Sequence, residues 1–178
     1  MEDKKIILLS FGSFDRGFLK KISGEVEVIF RHQTVTEECH LDLSTFYNPA
    51  RRQYDGVRLL HQICACTNSE YSKLIGLFRV DLYIPILTYI FGQAILGRDC
   101  AVASVYRLRN ELYGLKQDEE LLLSRTVKEV IHELGHTFGL IHCHSATCVM
   151  RSSTYVEDID LKDATFCQQC RSQLEIRQ

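Results

Sequence analysis

No apolar run in this chain approaches the roughly 20 residues that would span a bilayer as a helix, so no membrane-spanning helix is expected. Charge of one sign is equally scarce. A net charge of −2 gives no broad electrostatic reason to bind nucleic acid or an anionic membrane. A secretory signal is missing as well: the start, Met1 to Lys5, is too acidic, the apolar run Ile6 to Leu9 is too short, and no small-residue cleavage site follows. These absences place the chain in the cytoplasm. Internal repeats, low-complexity tracts and linkers between domains are not found either. What remains, 46% apolar and 25% charged residues in a length of 178, is the composition of one globular domain. Cysteine is the exception to scarcity. Eight cysteines without a secretory signal point to metal binding and buried thiols rather than to a disulfide framework.

Hydrophobic spacing divides the chain into alternating strands and helices. Lys5 to Phe11 reads as a buried strand, and Phe14, Phe18, Leu19 and Ile22 recur at helical spacing. Gly24 is expected to stop that helix and Glu25 to Phe30 to form a second strand, giving a right-handed βαβ unit with a parallel pair. After the polar stretch Gln33 to His40, Asn48-Pro49 reads as the cap and first position of a helix that Thr67-Asn68-Ser69 ends. Strands are expected over Leu74 to Ile84, closed by Pro85, then over Thr88 to Leu96 and Cys100 to Tyr106. With Gly97-Arg98-Asp99 between them, the last two should pair antiparallel at an edge. Asp118 begins a long helix whose apolar stripe, Leu123, Val127, Val130, Leu134 and Phe138, faces the sheet.

The opposite face of that helix carries the chemistry. At about 100° per residue, His132 and His136 fall within about 40° of each other and about 6 Å apart along the axis, so two imidazoles can close on one ion. Glu133 lies on the flank of the pair, where it can reach a water on the metal and act as general base. Gly139 permits a left-handed exit, and His142 can return as a third nitrogen ligand. Three protein ligands plus a water make a catalytic rather than a structural zinc. His144, and a carboxylate from Glu157 or Asp158, are the rivals for His142.

The segment from 140 to 178 is too short to assemble much core unaided. Cys143, Cys148, Cys167 and Cys170 supply a four-thiolate set suited to a second, structural zinc, with Asp163 as a candidate cap for the helix carrying the last two. Cys39, Cys64, Cys66 and Cys100 read as structural or incidental thiols; Cys64 and Cys66 diverge by about 200° on a helix and cannot share an ion there.

The string His132-Glu133-Leu134-Gly135-His136-Thr137-Phe138-Gly139-Leu140-Ile141-His142, followed by Met150, resembles the metzincin clan of zinc proteases. Cys143, Cys148, Met150 and Cys167-Gln168-Gln169-Cys170 make it look like the archaemetzincin family. The resemblance implies an α/β fold: a twisted, mixed, mostly parallel five-stranded sheet backed by helices, an active-site helix, and a small zinc-stabilised C-terminal subdomain. It implies one catalytic domain over residues 1–178, with an upper subdomain to 139 and a lower one over 140–178. Met150 would form the methionine turn that floors the metal site without ligating it. The position two beyond it, where some clan members carry a switchable tyrosine, is Ser152, so Tyr155 inherits no such role. With strand-like sequence beginning at Lys5, the resemblance implies a protein expected to be made without a latency segment.

The expected activity is peptide-bond hydrolysis with two zinc ions per chain, Glu133 moving the proton of a zinc-bound water, and an extended substrate pairing with the outermost strand within Thr88 to Leu96. The pocket that selects side chains is expected to involve His144 to Tyr155. Because the ligand histidines must be neutral, activity should fall as pH drops below about 6.5, where free imidazole protonates. The expected partners are a peptide or protein substrate, with no nucleic acid, no membrane and a monomeric state; whether ends are trimmed or chains cut internally stays open. A rival reading is a zinc-dependent peptide-binding module with little or no turnover. A third takes the cysteines as a nucleic-acid-binding finger, but four cations against five acids after Cys148 make no basic stripe.

Overall fold

A computed structural model describes residues 5–67 and 71–177. In chain order its strands are β1 Lys5–Phe11, β2 Thr34–Cys39, β3 Tyr47–Asn48, β4 Gln53–Asp55, β5 Tyr71–Phe78, β6 Leu82–Tyr83, β7 Gly92–Ala94 and β8 Cys100–Ser104. Its helices are α1 Arg16–Phe30, α2 Gly56–Cys64, α3 Glu119–Thr137, α4 Val156–Asp160 and α5 Gln168–Arg177. Five strands form the main sheet in the order β2-β1-β5-β8-β7, parallel except for β7, which runs against β8 at the edge. Strands β3, β4 and β6 form a small second sheet.

Alternation along the central strands builds a core on each side. Ile6 and Leu8 of β1, Ile75 and Leu77 of β5, and Ala101 and Ala103 of β8 pack with α1 and α3. Their neighbours Ile7, Leu9, Leu74, Phe78 and Val102 pack with Leu59, Leu60 and Ile63 of α2. A period of two thus separates the layers, as a sheet covered on both faces requires. The first cluster continues into Leu140, Val149, Met150, Phe166 and Leu174, so the C-terminal segment shares the core beneath α3.

Several sequence expectations are corrected. α1 passes through Gly24 and ends at Phe30, so Glu25 to Phe30 is helix rather than strand. Ile22, Val26, Ile29 and Phe30 are buried at spacings of four, three and one, while Val28 is 73% exposed, and a strand pairing Val26 with Val28 cannot produce that pattern. The second parallel strand is instead β2, drawn from the stretch read as polar; it sits at the sheet edge, where polar residues are tolerated. Asn48 caps a turn, its side-chain oxygen accepting from the Ala50 and Arg51 amides at 3.1 and 3.2 Å, and the helix starts only at Gly56 with Asp55 as its cap. Thr67 closes the end of α2 by donating its hydroxyl to Cys64 O at 2.8 Å, whereas Asn68 and Ser69 lie outside the described residues. The run from Leu74 to Ile84 is two strands in different sheets, β5 and β6. Asp163 lies too far ahead of α5 to cap it. Cys64 and Cys100 are not free thiols: their sulfurs form a disulfide, with Cα atoms 5.2 Å apart, joining the end of α2 to the start of β8. No helix among the described residues is long and apolar enough to cross a membrane.

Candidate active site

The site grows out of the way α3 ends. Asp118 caps its start, accepting from the Leu121 amide at 2.9 Å, as the sequence predicts. Val127, Val130 and Leu134 bury its inner stripe, which turns His132 and His136 the other way. Gly139 takes φ of 84°, the left-handed region that suits glycine. The Gly139 amide donates to His136 O at 2.9 Å and the Leu140 amide to Gly135 O at 3.0 Å, the bond pattern that reverses a chain after a helix. That reversal brings His142 back: its ring centroid lies 5.3 Å from that of His132 and 4.9 Å from that of His136, which are 4.7 Å from each other.

One nitrogen from each of these histidines lies within 4.8 Å of the others. His132 Nδ1 meets Val149 O at 2.8 Å and His136 Nδ1 meets Leu140 O at 2.7 Å. A carbonyl only accepts, so each Nδ1 carries the hydrogen and each Nε2 is left with a lone pair. The Nε2 atoms of His132 and His136 face each other at 3.1 Å. Two lone pairs at that separation repel unless a cation lies between them. Zn–N bonds of about 2.0–2.1 Å in a tetrahedron set nitrogens about 3.4 Å apart, so the donor set fits zinc. Burial lowers all three imidazole pKa values, that of His132 well below its ordinary value, which keeps the rings in the neutral form a metal needs. His144, Glu157 and Asp158 are not in the cluster. Asp158 instead accepts from the Thr154 and Tyr155 amides, both at 2.9 Å, at the start of α4.

Glu133 is buried on the same helix and lines a cleft of about 360 Å³ with His132 and His142. Burial pushes its carboxyl well above the usual range, and Glu129, one turn earlier, adds to the shift through charge and a hydrogen bond. Gly92 of β7 makes room for it: a methyl group there would fall 2.6 Å from Glu133 Cγ and 2.8 Å from Oε1. Beneath the histidines Met150 is fully buried, its sulfur so near Gly135 that an added methyl would lie 2.5 Å away. The upper wall of the cleft is residues 87–92 and the lower wall Ser152 to Tyr155, tied where the Tyr89 hydroxyl donates to Thr154 O at 2.9 Å. Lys162 and Glu129 also line it. The sequence reading passed over both, and over Gly92. Glu129 carries a signal, since it lies four residues before Glu133 on the same helix face; Lys162 and Gly92 carry none.

Cys143, Cys148, Cys167 and Cys170 form a second cluster, with all four sulfurs within 4.8 Å of one another. The Cys143 and Cys167 sulfurs are 3.7 Å apart. Four Zn–S bonds of about 2.3 Å in a tetrahedron give about 3.8 Å between sulfurs, so this set fits zinc too. The Ser145 amide donates to Cys143 Sγ at 3.4 Å and the Cys167 amide to Cys148 Sγ at 3.3 Å. The Cys170 backbone amide is the main cause that brings Cys167 down to about 7, while burial drives Cys148 and Cys170 up.

Comparison with known proteins gives one answer. The model of peptidase family M54 matches residues 8–176. The chain is 36% identical over 180 residues to the archaemetzincin of Thermococcus kodakarensis, covering 95% of this chain and 94% of that protein. It superimposes on the crystal structure of archaemetzincin from Methanopyrus kandleri with a TM-score of 0.86 and 33% identity, covering 99% of this chain and 96% of that one. A zinc-dependent peptidase from Methanocorpusculum labreanum gives 0.85 and 29%, covering 95% and 99%.

Proposed function

The chain belongs to peptidase family M54, the archaemetzincins, and is a zinc metallopeptidase; from that premise we propose that it cleaves peptide bonds with Glu133 as general base at a zinc held by His132, His136 and His142. The observation that carries this reading is the convergence of three imidazole nitrogens beside a buried carboxylate in one cleft. Bound there, zinc supplies Lewis acidity, polarising a carbonyl and acidifying a water. Glu133 takes the proton of the attacking water and delivers it to the departing amine. Val149 O and Leu140 O fix the two helix imidazoles through their Nδ1 hydrogens. Met150 packs under Gly135 as the floor. Cys143, Cys148, Cys167 and Cys170 would hold a second zinc, which would tie the lower part, residues 140–178, to the upper part, 1–139, within one catalytic domain. An extended peptide adds to the outer edge of β7, the last strand of its sheet, and gains main-chain affinity without a sequence preference.

Incubating the zinc-loaded protein with a diverse peptide mixture and reading products by mass spectrometry tests the proposal. New termini are the expected result, and an unchanged mixture would contradict it. Gly92→Ala tests how Glu133 is held. The added methyl would also fall 2.8 Å from Val102 O on β8, so it cannot be relieved on that side without moving the strand; the carboxyl shifts, and a misplacement of about 1 Å costs on the order of 10²-fold in rate. The variant should keep its zinc and lose that factor in kcat/KM; an unaltered kcat/KM would show that β7 does not set the position of the base.

A further inference from the structure

Lys162 lines the active cleft although it is 2% exposed. Its ammonium donates to Arg151 O at 3.0 Å, beside the methionine turn, and none of the three ion pairs among the described residues includes it. An ammonium has three donors, and burying one is costly unless they find acceptors. A second donor lies in the same wall: Ser153 Oγ is buried without a hydrogen-bond partner. Two buried donors thus face one cleft, and neither is in hydrogen-bond contact with the two carboxylates, Glu129 and Glu133, that also line it.

The charges decide what kind of acceptor. Glu129 and Glu133 line the cleft with Lys162 and carry at most two negative charges against its one positive charge. Zinc on the histidines then leaves the floor of the cleft positive. The remaining polar wall residues, Thr88, Tyr89, Ser152, Thr154 and Tyr155, carry no formal charge.

We propose that Lys162, with Ser153, is a specificity-determining pair that receives a carboxylate of the peptide substrate. The proposal rests on the peptidase reading above and names the substrate class. The carboxylate has two sources, an Asp or Glu side chain close to the scissile bond or the C-terminus of the chain being cut. Lys162 supplies charge and two free donors, and Ser153 supplies the neutral donor that fixes the second oxygen.

Binding decides the matter independently of turnover. Peptide pairs that differ only as Glu against Gln beside the scissile position, or as C-terminal acid against amide, are titrated by calorimetry into the zinc-loaded Glu133→Gln protein. The acid member of one pair should bind about tenfold tighter, the order of a hydrogen bond to a charged group, and which pair shows it identifies the source. Lys162→Met should bring that ratio close to one, Lys162→Arg should retain part of it, and Ser153→Ala should reduce it by about threefold, each with zinc content unchanged. Equal affinity for acid and amide in both pairs before any change at Lys162 would overturn the proposal. So would an equal fall for acid and amide in Lys162→Met. If Lys162→Met loses zinc or fold, the parent ratio and Ser153→Ala decide. Failure of the peptidase reading is distinguishable: unaltered protein would cut neither member while the binding preference persisted.

Discussion

Glu133→Gln should retain a full complement of zinc and lose peptide hydrolysis by about 10²–10⁴-fold, the range a positioned general base contributes. Glutamine keeps the shape of the side chain and cannot accept the proton. The metal should stay because nothing that orients the imidazoles depends on Glu133: His132 is fixed by Val149 O and His136 by Leu140 O. Stability should not fall either. Glu133 is a buried carboxyl beside a second one, and an amide there removes a group whose ionisation burial opposes. Metal content, thermal midpoint and kcat/KM measured on one preparation separate these effects. Full activity would remove Glu133 from the chemistry, and loss of zinc would make it a ligand instead.

The second large effect is expected at the cysteines. Replacing Cys148 and Cys170 with alanine should remove one zinc equivalent and collapse the segment after Gly139, taking hydrolysis with it. Among its described residues that segment contains two helices, α4 and α5, of five and ten residues, yet it contributes Met150, Phe166 and Leu174 to the core under α3 and carries His142. Its loops are held by scattered hydrogen bonds, such as Val149 N to Thr165 O at 3.0 Å and Asp163 N to Thr147 O at 2.8 Å, and the four sulfurs are the point where Cys143, Cys148, Cys167 and Cys170 meet. Structural zinc is worth about 10–16 kcal/mol in small domains at pH 7, and even a fraction of that exceeds the 2–4 kcal/mol of a typical disulfide. Cys64→Ala, which removes the Cys64–Cys100 bridge, therefore serves as the comparison. It should lower the urea midpoint modestly and leave both zinc ions bound. A cysteine-pair variant as stable as Cys64→Ala would show that the four sulfurs hold no structural ion.

What was legible in the sequence is what local geometry writes. His132, Glu133 and His136 need only helical spacing, and Gly139 signals the turn that returns His142. The four cysteines were legible because a short segment with little core has to be stapled by something. The misreadings share a different cause. Val26 and Val28 alternate like a strand, but Val26 also lies four residues after Ile22, and burial against α3 chose the helical period. β2 has no apolar alternation to read because it is an edge strand with few buried positions. Gly92 reaches the cleft from β7, and Ser153 and Lys162 from the loops before and after α4, so no short window of sequence holds them together. The Cys64–Cys100 bridge spans 36 residues and joins a helix to a strand, and an argument from cellular compartment could not foresee it.

The most direct measurement is anomalous diffraction at the zinc edge from crystals of the zinc-loaded protein. Two peaks are expected, one about 2.0–2.1 Å from the Nε2 atoms of His132 and His136 and from one ring nitrogen of His142, and one about 2.3 Å from the four sulfurs. Glu133 should stand outside the coordination sphere of the first. A histidine cluster without a peak, or a peak ligated by Glu133, would contradict the account.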